Sequence, residues 1–138
     1  MSPTPPPSPA PGLSVQVREE DGAVVLRPSG ELDHDTAEPL QDALATALAG
    51  PRGLIVVDCS GLDFCDSTGL NLLLRTRLDA EARGRHLAVA SPGSMVSLML
   101  ELTGTAGVLR VHATVAEALA EEPPDATAPP DVTAPPGG

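Results

Sequence analysis

Residues 54–69 read LIVVDCSGLDFCDSTG, and this stretch decides the fold class. It opens with a continuous aliphatic run over residues 54–57, the pattern of a strand that is buried on both faces of a sheet. Leucines at helical spacing follow the stretch directly, at Leu70, Leu73, Leu74 and Leu78. A doubly buried strand that leads through a polar loop into a helix predicts an α/β protein with a largely parallel sheet.

The residues before this stretch predict a hairpin. Apolar and polar residues alternate over 13–17, a second strand covers 23–27, and Asp-Gly at 21–22 is a signal for a tight turn between antiparallel strands. Pro28 and Gly30 indicate a sheet edge or a bulge near the end of the second strand. The first two strands are therefore predicted to pair with each other.

A helix is predicted between this hairpin and the buried strand. Apolar residues recur at helical spacing over 37–48, and Gly50 follows the last of them. Asp35 or Thr36 can cap the helix, and Pro39 falls in its first turn, where a missing N–H is tolerated.

The residues after the central stretch continue the alternation of strands and helices. Strands are predicted over 87–90 and 108–111, and Ser91-Pro92 opens a helix between them. The core stripe of that helix is predicted to be Met95, Leu98, Met99 and Leu102. A capping box over residues 114–117 starts a last short helix that ends near Ala120. The predicted order is β-β-α-β-α-β-α-β-α, with right-handed crossovers.

Composition separates one domain from two tails and limits the classes of partner. Residues 1–12 and 121–138 are rich in proline and poor in large apolar side chains, so we expect disordered tails on both sides of a domain at 13–120. The net charge of −11 makes nucleic acid and membrane surfaces unfavourable partners. Neither a secretory signal nor an apolar run long enough to span a bilayer is present, so a cytoplasmic location is expected.

The basic and sulfur-containing residues exclude several kinds of chemistry. All eight basic residues are arginines, which excludes a Walker phosphate loop and Schiff-base lysine chemistry. Cys59 and Cys65 lack the spacing of a zinc site and are interpreted as buried, reduced thiols. No cofactor and no metal are expected.

Three polar loops are predicted to meet at one rim of the sheet, because parallel strands bring their carboxyl ends to the same edge. The loop after strand two spans residues 31–36, the next long loop contains residues 63–69, and the third contains Ser91 and Pro92. A pair of hydroxyls, several carboxylates and one histidine are therefore expected to lie close together.

Two of these loops resemble the motifs of the anti-sigma factor antagonists, which are stand-alone STAS domains. The first motif is GELDHDTA at residues 30–37, and the second is DSTGL at residues 66–70. Ser91-Pro92, followed by LTG at 102–104, is similar to the third-helix region of the family. The resemblance covers about residues 13–120 and implies a mixed sheet with helices packed mainly on one face.

The resemblance implies a bacterial partner switch rather than an enzyme. In this family the dephosphorylated protein binds an anti-sigma factor that is also an ATP-using serine kinase, and a sigma factor is released. The kinase then phosphorylates the serine after the motif aspartate, here Ser67, and a separate serine phosphatase reverses the modification. Asp33 matches a position associated with kinase recognition. The residues implied to bind partners are Asp33, His34, Asp35, Asp63, Asp66, Ser67, Thr68 and Gly69.

Other interpretations of the same residues stay open at this point. The domain could be an unphosphorylated scaffold or a ligand-binding subunit, and Thr68 could be a second, less favoured phosphoacceptor. Asp66 could simply cap the helix that follows it, as a short acidic side chain before a helical pattern often does. A magnesium site at Asp33, Asp35, Asp63 and Asp66 would resemble a receiver domain, but it lacks the accompanying lysine. A serine hydrolase is disfavoured because position 65 is not glycine and because His34 precedes the serine in the chain.

Overall fold

A six-stranded mixed sheet and four helices form the domain in a computed structural model that describes residues 12–20, 22–51, 53–105 and 107–120. The strands are β1 (Leu13–Glu20), β2 (Ala23–Leu32), β3 (Leu54–Asp58), β4 (Gly61–Cys65), β5 (His86–Ala90) and β6 (Arg110–His112). The helices are α1 (Glu38–Ala49), α2 (Ser67–Ala82), α3 (Ser94–Leu102) and α4 (Val115–Ala120).

The sheet has the order β1-β2-β3-β5-β6, and β4 pairs with β2 beyond the end of β3. Strands β1 and β2 are antiparallel, with Glu20 opposite Ala23, which confirms the predicted hairpin. All other pairs are parallel. The predicted class, a mixed α/β sheet, is confirmed.

The two faces of the sheet carry cores of different size. Helices α1, α2 and α3 cover one face, where their buried side chains meet those of alternate strand residues such as Leu26, Ile55 and Val89. Helix α4 alone covers part of the other face, through Ala118 against Val56 and its neighbours. The helices therefore pack mainly on one face, as the resemblance implied.

Strand β4 was missed by the sequence analysis, which interpreted residues 59–69 as a loop. Strand β2 is also longer than predicted, so Glu31 and Leu32 lie in the strand and not in the loop after it. The two differences have one cause. Residues 29–32 of β2 extend past the pairing with β3 and pair with β4 instead, with a register shift between Gly30 and Glu31.

The predicted core stripe of α2 is confirmed at Leu70, Leu73 and Leu74 but is wrong at Leu78, and that of α3 is wrong except at Met99, which packs against the core. In α3, Met95, Leu98 and Leu102 are more than half exposed, and the buried residues are Val96 and Leu100. In α2, Leu78 is 59% exposed. In the same turn of α2 the side chain of Thr76 is buried, and its hydroxyl donates to the carbonyl oxygen of Leu72.

The helix ends agree with the sequence in part. Asp66 caps α2, and Thr114 accepts the Glu117 N–H at the start of α4, as predicted. The N-cap of α1 is Ala37, with no side-chain bond, rather than Asp35 or Thr36, and α3 starts at Ser94 rather than directly at Ser91-Pro92. Apart from Gly12, whose carbonyl oxygen accepts the Glu31 N–H, the predicted tails lie outside the described residues, as does Asp21 of the hairpin. None of the described helices combines the length and the apolar character needed to cross a membrane.

Replacing Gly30 by alanine should destabilise the fold. Gly30 has φ +114°, and a Cβ at this position would lie 2.2 Å from the carbonyl oxygen of Gly12. Backbone strain and overlap together should lower the free energy of unfolding by about 2–4 kcal/mol, measured by urea denaturation. The matched control is Gly53→Ala, where a Cβ meets nothing within 4 Å. Equal stabilities of the two variants would contradict this account of Gly30.

Candidate functional site

The structure brings the two sequence motifs together through neighbouring strands. Leu32 at the end of β2 lies opposite Cys65 at the end of β4. One residue further on, the Asp66 N–H donates to the Leu32 carbonyl oxygen over 3.1 Å. The turn that begins at Asp33 and the start of α2 at Ser67 therefore lie side by side, as expected from the sheet topology.

The turn after β2 is held by the hydroxyl of Thr36. This hydroxyl donates to the Glu31 carbonyl oxygen over 2.6 Å and accepts the Asp33 N–H over 2.9 Å. The Asp33 carboxylate in turn accepts the Asp35 N–H over 2.9 Å. His34 and Asp35 project from this turn and are exposed, with 3.3 Å between His34 Nε2 and Asp35 Oδ1. Thr36 thus fixes a compact acidic turn.

The start of α2 presents a serine to solvent. The Asp66 carboxylate accepts the Gly69 N–H over 3.1 Å, which makes Asp66 the N-cap and Ser67 the first helical residue. Ser67 is exposed, Thr68 is half-buried and Gly69 is buried. The N–H groups of Ser67 and Thr68 have no acceptor within the helix, because the first turn of any helix lacks one. An exposed hydroxyl therefore stands at a helix end that favours negative charge.

Gly69 lets α2 approach the two strands closely. A Cβ at this position would lie 2.6 Å from Leu32 Cγ and 2.9 Å from Cys65 Sγ. Burial raises the pKa of Cys65 to about 11, and the Asp66 carboxylate adds to the increase. Burial also raises the pKa of Cys59 to about 12. Both thiols are therefore protonated at neutral pH and serve packing, as predicted, rather than nucleophilic chemistry.

The other predicted site residues lie less close to this centre. Asp63 is exposed in β4 and not in a loop, three residues before the cap of α2. In the third predicted loop, the Ser91 N–H donates to the His112 carbonyl oxygen, which ties this loop to β6 at the far side of the sheet. The described residues thus bring together two of the three predicted loops, whereas the Ser91 N–H is bonded to β6.

The metal and hydrolase interpretations gain no support from the geometry. Ligand atoms of Asp33, His34 and Asp35 lie within 4.8 Å of one another, but His34 and Asp35 are exposed and the Asp33 carboxylate is bonded within the turn. Asp63 and Asp66 do not belong to this group. Within the described ranges, Ser67 makes no hydrogen bond to a histidine, which a hydrolase would need as its base.

Sequence analysis missed an apolar surface on α3, the helix that packs against β4. We call Met95, Leu98 and Leu102 the α3 face; all three are more than half exposed. Helix α3 packs against β4, where the Phe64 side chain is 39% exposed. A signal was present in the composition, because six of the nine residues of α3 are apolar and one stripe cannot bury them all. An apolar surface of this kind is typical of a protein-binding site.

Comparison with known proteins identifies relatives of this chain. Residues 15–121 match the protein family described as "Mlab, STAS domain". The anti-sigma-F factor antagonist RsfB of Mycobacterium tuberculosis is 30% identical over 109 residues, which cover 78% of this chain and 87% of RsfB.

Solved structures agree with this assignment. The crystal structure of an anti-sigma factor antagonist from Mycobacterium paratuberculosis matches with a TM-score of 0.70 and 28% identity, over 78% of this chain and 91% of that one. The antagonist SpoIIAA in its unphosphorylated form matches with a TM-score of 0.66 and 29% identity, over 77% of this chain and 93% of SpoIIAA. The phosphorylated form of Bacillus SpoIIAA matches with a TM-score of 0.61 and 28% identity, over 77% and 96% of the two chains.

The capping bond of Asp66 should contribute measurably to stability. Asp66→Ala removes the acceptor of the Gly69 N–H and should lower the free energy of unfolding by about 1 kcal/mol. Asp66→Asn keeps an acceptor oxygen and should remain within a few tenths of a kcal/mol of the parent, because asparagine caps about as well as aspartate. Urea denaturation of the three proteins measures both effects. An asparagine variant as unstable as the alanine variant would contradict the capping role.

Proposed function

The chain belongs to the STAS-domain family and, within it, to the anti-sigma factor antagonists, and from this premise we propose that it is a partner switch controlled by phosphorylation of Ser67. In its unmodified form it binds an anti-sigma factor with serine kinase activity and thereby frees a sigma factor in the bacterial cytoplasm. Phosphorylation reverses the binding, and a serine phosphatase restores it. The chain itself performs no catalysis and uses no cofactor.

The observation that carries this proposal is the position of Ser67. It is exposed, it is the first residue of α2, and its neighbour Asp66 already holds the cap. A kinase can reach such a hydroxyl without unfolding the helix. The half-buried Thr68 is the poorer acceptor, because part of its side chain lies in the groove along α2 that Asn71 and Leu74 also line. The solved phosphorylated form of the related SpoIIAA supports the compatibility of a phosphate with this fold.

A phosphate on Ser67 would be tolerated within the isolated domain. A phosphoserine carries nearly two negative charges at neutral pH. The free N–H groups and the positive dipole end of α2 favour an anion at this position. The adjacent Asp33 turn opposes it, but that turn is solvated on its outer side at His34 and Asp35. Modification should therefore leave the fold unchanged.

The same phosphate would be unfavourable inside a docked interface. A partner that covers the start of α2 would remove water from the phosphate, from Asp66 and from the acidic turn together. Leaving a buried charge uncompensated costs about 3–5 kcal/mol. At about 1.4 kcal/mol per decade, this weakens binding by roughly two to four orders of magnitude. A change of that size is sufficient to exchange partners.

The α3 face supplies affinity for this partner. Its exposed side chains, with Phe64 on β4, add apolar contact area to a site in which four of the eight other residues are acidic. Apolar residues at the centre and polar residues at the rim form the usual arrangement of a transient protein interface. We therefore assign partner binding to the Asp33 turn, the start of α2 and the α3 face together.

Phosphorylation should occur on Ser67 alone. The protein is incubated with ATP and each candidate anti-sigma kinase from the same genome, and peptides are mapped by mass spectrometry. Ser67→Ala should still bind the kinase but should take up no phosphate, because the acceptor hydroxyl is absent. Ser94→Ala is the matched control, since Ser94 is also an exposed first residue of a helix, and this variant should be modified normally. Absence of phosphate with every active kinase would favour the scaffold interpretation.

A carboxylate at position 67 should separate folding from binding. Ser67→Asp should keep the circular dichroism spectrum and the stability of the parent, because an acidic residue suits the start of a helix. Its affinity for the anti-sigma factor should fall by at least tenfold, measured by calorimetric titration. Thr114→Asp is the control, because it adds the same charge at the start of α4 on the opposite face of the sheet. A folded Ser67→Asp variant that binds as tightly as the parent would refute the switch.

A further inference from the structure

The α3 face, formed by Met95, Leu98 and Leu102, is an apolar surface that the described part of the chain leaves uncovered. Each of its side chains is more than half exposed. The three residues follow each other at spacings of three and four, so they lie on one side of the helix. Val96 and Leu100 hold the opposite side of α3 against the core. Exposed apolar residues that are contiguous in this way mark a surface that another segment or molecule covers.

The amino-terminal segment, residues 1–11, leaves the described domain at the rim that carries the functional site. Strand β1 runs antiparallel to β2, and the Gly12 carbonyl oxygen accepts the N–H of Glu31 near the end of β2. The chain before Gly12 therefore continues past the edge of the sheet at which the Asp33 turn and the start of α2 lie. Leu13 packs against the same hydrophobic core as the buried side of α3.

The α3 face is within reach of this segment. Glu31 lies between Gly12 and Phe64, its partner on β4, and neighbouring strands are about 4.8 Å apart, so Gly12 is roughly 10 Å from β4. Helix α3 packs on β4 and begins at Ser94, soon after β5 ends at the same rim. Packed layers of secondary structure lie roughly 10 Å apart. The start of α3 is therefore roughly 15 Å from Gly12, which five residues in the polyproline II conformation span at 3.1 Å per residue.

The composition of the segment suits an apolar surface. Residues 3–11 read PTPPPSPAP, which favours the extended polyproline II conformation. A proline-rich segment of this kind loses little conformational entropy on binding and has few N–H groups that would need an acceptor. Its length also fits, because residues 95–102 of a helix rise about 10 Å and residues 4–7 of a polyproline II segment rise about 9 Å.

Charge favours this segment over other occupants. Glu101 on α3 and Asp63 on β4 are exposed acidic residues beside the α3 face. Residues 1–11 contain no charged side chain, whereas residues 121–138 contain four acidic residues and no basic one. A second copy of the chain carries a net charge of −11. The carboxyl-terminal segment and a second copy are therefore both repelled by these acidic residues, and the amino-terminal segment is not.

We propose that residues 4–11 fold back over the rim and cover the α3 face, with Pro7 near Met95 and Thr4 near Leu102. The regulatory consequence rests on the proposed function: an anti-sigma factor that binds the α3 face must first displace this segment. The short connection to Gly12 gives the segment an effective concentration of about 1 mM or more, so even weak docking competes with a partner. The segment thus acts as a built-in competitor that raises the partner concentration needed for binding.

An intramolecular disulfide tests the docking without any partner. Thr4→Cys and Leu102→Cys are combined in the full chain, which is oxidised gently at low concentration and mapped by mass spectrometry of non-reduced peptides. The docked segment should bring the two Cα atoms to within about 7 Å, the upper limit for a disulfide. The native thiols, Cys59 and Cys65, are buried and should not interfere.

Two matched pairs control for random encounters. Thr4→Cys with Leu78→Cys uses a leucine of α2 that is also more than half exposed. Thr127→Cys with Leu102→Cys uses the carboxyl-terminal segment instead. We expect the disulfide between positions 4 and 102 to form at least ten times faster than either control disulfide. Equal rates for the three pairs, or no disulfide between positions 4 and 102, would overturn the proposal.

A charge within the segment tests the competition. Pro6→Glu should release the segment, because it places a carboxylate beside Glu101 and interrupts the run of prolines. Oxidation of Met95 by dilute hydrogen peroxide should then become at least threefold faster, while the partly buried Met99 reacts as in the parent. Thr127→Glu adds the same charge to the other segment and should leave both rates unchanged. An unchanged rate at Met95 in a folded Pro6→Glu variant would refute the docking.

The partner supplies the last measurement. Affinity for the anti-sigma factor, measured by calorimetric titration, should be at least threefold higher for Pro6→Glu than for the parent and for Thr127→Glu. Equal affinities would refute the competition. If no anti-sigma factor binds any of the three proteins, the proposed function fails, and the disulfide and oxidation experiments still decide whether the segment covers the α3 face.

Discussion

The fold and the site both depend on the way in which one edge of β2 serves two parallel strands in succession. Residues 23–26 pair with β3, and residues 29–32 pair with β4. The change of partner falls at Pro28, which has no N–H to offer to either strand, and the register shifts just after Gly30. Because β4 continues the ladder, the chain arrives at Asp66 beside Leu32. This second pairing is what brings the Asp33 turn and Ser67 together.

Sequence patterns could predict the elements that have a regular period and a clear end. Residues 54–57 were recognised as a buried strand because all of them are aliphatic, and all four are buried. Asp66 was recognised as a cap because a short acidic side chain precedes a helical pattern. The convergence of two polar loops followed from parallel topology. The resemblance then added the role of Ser67, which no periodicity could supply.

The features that were missed lack such a period. In β4, GLDFC buries Leu62 and Cys65, which are three residues apart, because the register shift interrupts the alternation. In α3, apolar residues occupy most positions, so the spacing fits more than one stripe, and the stripe through Val96 and Leu100 is the one that faces the sheet. Which side of α3 is buried depends on how the helix rests on β4, a tertiary contact that local sequence does not encode.

Under the proposed function, the exposed apolar residues of α3 and the charges around Ser67 have opposite effects on the binding of a partner. Met95, Leu98 and Leu102 are exposed. When a partner covers them, the burial of apolar area favours binding by about 25 cal/mol per Å². The charges around Ser67 act in the opposite direction when the same partner removes their water. The α3 face thus favours binding, and the charges around Ser67 oppose it. A single phosphate on Ser67 would increase only the opposing contribution and could therefore reverse the binding. Under the proposed function, the start of α2 would stabilise that phosphate in the free domain, so the modification would act on the complex rather than on the fold.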